Sequence, residues 1–162
     1  MKIFLIVPPN IHYIEPYAYI EADKSNTTRP NLGLLYVAAA VKDIPGIDIR
    51  IVDANIDELS MEELEERISK ESPDMVGFSV LSFNLLNCME VSLTIKKCSP
   101  RTLICFGGWH PTLYPEETLS FEFVDFIVIG EGELTFQELL KVFNNNKSPT
   151  EKELSEIKEV KE

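Results

Sequence analysis

Basic charge is scarce in this chain. Fifteen lysines and arginines stand against 27 aspartates and glutamates, a formal net charge of -12. Binding a nucleic-acid backbone needs a basic footprint, and docking on an anionic membrane needs a polybasic one. Neither partner is expected. Long apolar runs are missing too, since nothing approaches the roughly 20 residues of a membrane span. The opening MKIFLIVPPN holds a short apolar segment that stops at Pro8-Pro9, with no small-residue cleavage site after it. It reads as a first buried strand, not a signal peptide. Cysteine is sparse: Cys88, Cys98 and Cys105 are odd in number and scattered. That excludes a disulfide framework and argues for reduced thiols and a cytoplasmic protein.

What is present is an alternation. KIFLIV (2–7), IDIRIVDA (47–54), DMVGFSV (74–80), RTLICF (101–106) and VDFIVIG (124–130) are short, β-branched or aromatic, and end in turn residues. The first, third and fifth are apolar nearly throughout, as parallel strands covered on both faces are. IDIRIVD alternates, which suits a position nearer an edge. Between them lie helical stretches. NLGLLYVAAAVKD (31–43) is almost wholly apolar and is expected to be deeply packed. Ser60-Met61-Glu62-Glu63 is a capping box, followed by Leu64 and Ile68 at helical spacing. The segment 83–98 places Leu86, Met89 and Leu93 on one face. Pro115-Glu116-Glu117 opens a short helical turn. Phe136, Leu139, Leu140 and Phe143 form one stripe of a last helix. Cys88 and Cys98 read as packing or surface positions, Cys105 as core.

Five strand–helix units in 162 residues predict a flavodoxin-like, doubly wound α/β domain with a five-stranded parallel sheet in the order 2-1-3-4-5. Residues 1–143 are expected to form this Rossmann-like domain. Residues 144–162 read as a charged tail, either a short helix or a linker. Residues 8–30 form a long polar, aromatic and proline-bearing loop, and loops of that length inside compact domains are usually functional or mobile.

In such a sheet a ligand binds at the carboxyl ends of the strands, near the reversal of strand order. The loops there begin at Pro8-Pro9, Asp53-Ala54-Asn55, Ser79-Val80-Leu81-Ser82, Gly107-Gly108-Trp109-His110 and Gly130-Glu131-Gly132-Glu133. Small residues at strand ends let a large ligand lie against backbone. Each position also has a plainer reading. Gly107-Gly108 is also what a tight strand exit looks like, Ser79 what a helix cap looks like, and Glu131 and Glu133 what solvated first-turn acids look like. His110 suits a loop-fixing hydrogen bond and Trp109 an apolar wall, both on an exposed loop. No acid, nucleophile or metal ligand stands at a fixed spacing from either, so no catalytic residue is expected.

Taken in order, PPN, RPNLGLLYVAAAV, IRIVDA, PDMVGFSVLS, FGGWHPTLYPEE and VDFIVIGEGELTFQELL resemble the cobalamin-binding domain found ahead of the radical S-adenosylmethionine core in cobalamin-dependent radical enzymes. The resemblance runs from about residue 2 to about residue 143. Ser79-Val80-Leu81 and Gly107-Gly108 match the S-x-L and G-G motifs of the wider cobalamin-binding fold. The D-x-H-x-x-G motif is missing, since Asn10–Glu15 holds neither its aspartate nor its glycine. No metal ligand is therefore expected, and His12 is a candidate for cobalt by its imidazole alone. Tyr13, Tyr17 and Tyr19 become candidates to line the lower corrin face.

The resemblance implies cobalamin held base-off by Pro9, Asn10, Ser79, Val80, Leu81, Gly107, Gly108, Trp109, His110, Gly130, Glu131, Gly132 and Glu133. In it Ser79 hydrogen-bonds the buried nucleotide base, and Glu131 and Glu133 contact the tail. The radical core needs C-x-x-x-C-x-x-C for an iron–sulfur cluster. Here the cysteines are ten and seven positions apart. The chain is expected to be a cofactor-holding module without a cluster, not a complete enzyme, working with a radical S-adenosylmethionine domain or protein. The rival is a flavodoxin- or receiver-like domain that binds a flavin or signals. Pro8-Pro9, Ser79 and Glu131 stand where a receiver has its acidic cluster, aspartate and lysine, and Pro8-Pro9 removes backbone donors that a flavin phosphate needs. A fold remnant that binds nothing is the third reading.

Overall fold

A computed structural model of the chain describes residues 1–12 and 30–145. Five strands, β1 (Lys2–Val7), β2 (Asp48–Asp53), β3 (Met75–Ser79), β4 (Leu103–Gly107) and β5 (Phe126–Ile127), form one all-parallel sheet in the order β2-β1-β3-β4-β5. That is the expected topology. Its helices are α1 (Leu32–Val41), α2 (Met61–Glu71), α3 (Leu85–Cys98), α4 (Trp109–Leu113), α5 (Pro115–Leu119) and α6 (Gly132–Asn145).

The two-residue period of a strand sorts its side chains between two cores. Phe4, Ile6, Val76, Phe78, Ile104 and Phe106 face α2 and α3, packing on Leu64, Ile68, Val91 and Ile95. Ile3, Leu5, Met75 and Cys105 face α1 and α6, packing on Leu34, Val41, Phe136 and Leu140. Ser60 caps α2 with the full capping box, accepting from the Glu63 N–H at 3.2 Å while Glu63 accepts from the Ser60 N–H at 2.8 Å. β2 is an edge strand with an alternating burial pattern, as its sequence suggests. At the other edge, Asp125 accepts from the Ile104 N–H and from Lys96, each at 2.6 Å, and so fixes the start of β5.

Several expectations are corrected. Only Leu34 and Val41 of α1 are buried, while Leu32, Leu35 and Tyr36 are exposed. The helix forms an outer layer that contacts the sheet along one stripe, so its apolar composition does not translate into deep packing. On α3 the stripe is rotated. Cys88, Val91 and Ile95 face the core, whereas Leu86 and Leu93 are exposed. β5 holds the edge position that the order 2-1-3-4-5 gives it, but it is a strand of two partly buried residues and not a seven-residue strand covered on both faces. The expected domain end near residue 143 falls in the last turn of α6, and the tail from residue 146 onward lies outside the described residues.

Burial raises the Cys88 thiol from the ordinary 9.0 to about 12, partly offset by a backbone hydrogen bond. Burial raises Cys105 to about 12 as well, with the Asp125 charge adding to it. The unfolded thiols ionise first, so their contribution to stability is whole below about 9 and is lost as pH rises towards about 12. In native protein a thiol reagent is expected to modify the half-buried Cys98 well before Cys88 and Cys105, which react only on unfolding. Equal rates at all three would contradict this burial.

Candidate ligand slot at the strand ends

The S-x-L and G-G segments leave neighbouring strands and are bonded to each other. Ser79 pairs with Gly107 in the register of β3 and β4. One residue on, the Val80 N–H donates to the Gly107 carbonyl at 2.7 Å, and the His110 N–H donates to the Val80 carbonyl at 3.0 Å. Gly108 makes this approach possible. Its φ is +97°, and a Cβ there would lie 3.0 Å from the Val80 carbonyl oxygen and 3.1 Å from its nitrogen. Any L side chain is strained at that φ and meets backbone that cannot yield. The chain then enters α4 directly, so WHPTL is helical and not an open loop. Thr112 carries the connection onward. Its Oγ1 donates to the Gly108 carbonyl at 2.8 Å and accepts from the Gly130 N–H at 3.0 Å.

Beside these exits a cavity of about 270 Å³ lies between the sheet face and the pair α1 and α6. Six of the seven glycines in the chain line it: Gly33, Gly77, Gly107, Gly108, Gly130 and Gly132. Its sheet side includes Leu5, Ser79 and Cys105, and its helix side Leu34, Val37 and Phe136. Trp109, 71% exposed, stands with Glu131 and Glu133 among the lining residues. Among the described residues, no lysine, arginine or histidine lines it.

Eight of the positions singled out in the sequence meet here: Ser79, Gly107, Gly108, Trp109, Gly130, Glu131, Gly132 and Glu133. Ser79 does not cap α3, whose N-cap is Asn84. The remaining five do not line the cavity. Pro9 and Asn10 sit at the β1 exit, where the Asn10 N–H donates to Asn55 at 3.1 Å and Asn55 donates to the Pro8 carbonyl at 2.9 Å. Val80 acts through its backbone. The Leu81 N–H donates to Asn84 at 2.8 Å. His110 is 95% buried in α4, not on an exposed loop, since its accessibility is 5%. Its Nδ1 lies 3.2 Å from the Ser82 hydroxyl, which ties α4 to the β3 exit as a loop-fixing bond. Its Nε2 is the one buried side-chain polar atom without a partner among the described residues.

His12 is held away from the cavity. Its N–H and that of Ile11 donate to the buried Asn87 at 2.8 and 3.2 Å, and its Nε2 meets Glu90 at 2.5 Å. Both partners belong to α3, on the opposite side of the sheet from α1 and α6. Tyr13, Tyr17 and Tyr19 lie outside the described residues. Sequence reasoning missed Gly33, Gly77 and the apolar lining. Glycines inside a helix and a strand were the available signal. The apolar residues carry none that separates a cavity wall from an ordinary core. Among the described residues, no helix is long and apolar enough to cross a membrane.

The family model described as the B12 binding domain matches residues 22–140. An uncharacterized methyltransferase of Pyrococcus horikoshii, PH0819, is 31% identical over 148 residues, 91% of this chain and 30% of that protein. The anaerobic magnesium-protoporphyrin IX monomethyl ester cyclase of a Synechocystis species is 32% identical over 72% of this chain and 24% of that protein. Among solved structures, the cobalamin-dependent S-adenosylmethionine radical enzyme OxsB, with aqua-cobalamin and S-adenosylmethionine bound, superposes with a TM-score of 0.69 at 17% identity. It covers 89% of this chain and 19% of that one. The chain thus spans less than a third of the length of these proteins.

Because Gly108 serves the fold itself, Gly108→Val is expected to destabilise the ligand-free protein by about 1–3 kcal/mol. Gly107→Ala, whose added Cβ meets nothing nearer than 3.6 Å, should melt close to wild type. A Gly108→Val protein with the wild-type melting temperature would contradict the assigned strain.

Proposed function

The chain belongs to the B12 binding domain family, and from that premise we propose that it is a cobalamin-holding module whose slot receives the nucleotide tail of the cofactor, base-off. The observation that carries this reading is the glycine-lined cavity beside the bonded S-x-L and G-G exits. Its volume of about 270 Å³ falls below the roughly 300–1,000 Å³ of pockets that enclose a whole drug-sized ligand. It suits an appendage of something larger that rests outside. Bound cobalamin supplies a cobalt centre able to carry a methyl group or an electron.

The residues of the chain have separate tasks in this reading. Gly107 stands on the same face of β4 as Cys105, so its missing side chain leaves room on the cavity side. Ser79, in register beside it, offers a hydroxyl to the base. Glu131 and Glu133 accept hydrogen bonds from tail hydroxyls or amides at the entrance. His12 is engaged by Glu90 and is not assigned to cobalt. A flavin mononucleotide fits less well, because its phosphate dianion would meet these two carboxylates with no basic side chain among the described lining residues. The cysteines lack cluster spacing, so iron–sulfur and radical chemistry belong in this reading to a separate radical S-adenosylmethionine domain or protein.

Incubation with hydroxocobalamin followed by desalting should leave corrin absorption on the protein, with the band positions of the base-off form. Gly107→Val should stay folded and bind about tenfold more weakly or worse, because its methyls occupy the slot. Loss of all corrin bands on desalting wild type, in a protein that is demonstrably folded, would overturn the assignment.

A further inference from the structure

The cavity is stratified, and the layering bears on which cobamide it takes. Leu5, Gly77 and Cys105 are register partners across β1, β3 and β4 and form its deep row on the sheet. Ser79 and Gly107 form the next row, nearer the strand ends. On the helices, Gly33 and Gly132 lie in the first turns, with Val37 and Phe136 one turn further along. The deep layer therefore offers Leu5, Cys105, Val37 and Phe136. Among the described residues its single side-chain heteroatom is the Cys105 sulfur, a weak donor. The backbone of Gly77 is committed to the ladders on both sides.

Polar side chains gather in the outer layer. Thr112 spends its hydroxyl on the Gly108 carbonyl and the Gly130 N–H. Ser79, Glu131, Glu133 and the Trp109 indole remain, all from strand-end or helix-start positions.

Resting on the cobalamin reading, we infer that the slot selects cobamides whose lower base is an apolar bicycle, a benzimidazole, over those carrying a purine. The ribose is attached through the five-membered ring in both classes, so the six-membered ring lies farthest from the tether and enters deepest. In the dimethylbenzimidazole of hydroxocobalamin that ring carries only carbon and hydrogen. In adenine it carries ring nitrogens and an exocyclic amine, which lose water and gain no partner beside Leu5, Val37 and Phe136.

The test is a titration of the full chain with hydroxocobalamin, with the corresponding adenine-bearing cobamide, and with cobinamide, which has no base. Binding is followed by corrin absorption and by calorimetry. Hydroxocobalamin should bind about tenfold or more tightly than the adenine form, and cobinamide more weakly than hydroxocobalamin. Hydroxocobalamin and the adenine form within about twofold of each other would overturn the selectivity and leave the cofactor reading standing. Cobinamide as tight as hydroxocobalamin would show that the base is not in the slot, which overturns the inference by another route. Failure of all three to bind would overturn the cofactor reading and the inference with it.

Discussion

Everything at the ligand edge depends on one close approach, that of Gly108 to the backbone of Val80. A positive φ at Gly108 turns β4 into α4 while Val80 bonds both Gly107 and His110. That contact makes one unit of two strand exits. Thr112 then joins a third, since its hydroxyl bridges Gly108 and Gly130. The His110–Ser82 bond holds the far side of the same junction. The slot can stay open because its rim is held by these hydrogen bonds and does not require side chains to fill the space.

The same geometry sets the chemistry. A parallel sheet flanked by helices puts helix N-termini and strand carboxyl ends at one edge, and ligands gather there. Here the slot extends inward from that edge, lined by glycine and apolar side chains, with carboxylates at Glu131 and Glu133 and, among the described residues, no basic one. Such a lining accepts a flat, neutral, largely apolar group and disfavours a free phosphate. A formal net charge of -12 disfavours polyanions in the same sense.

The topology was legible because strand and helix periods alternate cleanly and each loop carries turn residues. The strand-end glycines were legible for the same reason. What the sequence obscured was direction. On α1, LGLLYVAAAV is apolar all round, so no stripe marks the buried side, and Leu34 and Val41 cannot be told from Leu32 and Leu35. On α3, apolar residues occur on more than one face, and the stripe through Cys88, Val91 and Ile95 competes with one through Leu86 and Leu93. Gly108 matched a ligand motif, which hid its structural task. That task depends on a φ and a neighbouring strand that no local pattern reports. The cavity walls Val37 and Phe136 look like core from sequence because, chemically, they are core residues that happen to border a gap.

In the proposed binding mode the cofactor tail enters the space between the sheet and the α1–α6 pair. Methyl NMR of the full chain with and without hydroxocobalamin reads that placement residue by residue. Ring-current shifts are expected to concentrate at the methyls of Leu5, Leu34, Val37 and Val128, which line the slot, with Leu64, Ile68 and Ile95 on the opposite face nearly unmoved. Bound cofactor that shifts the second set, or neither, would contradict it.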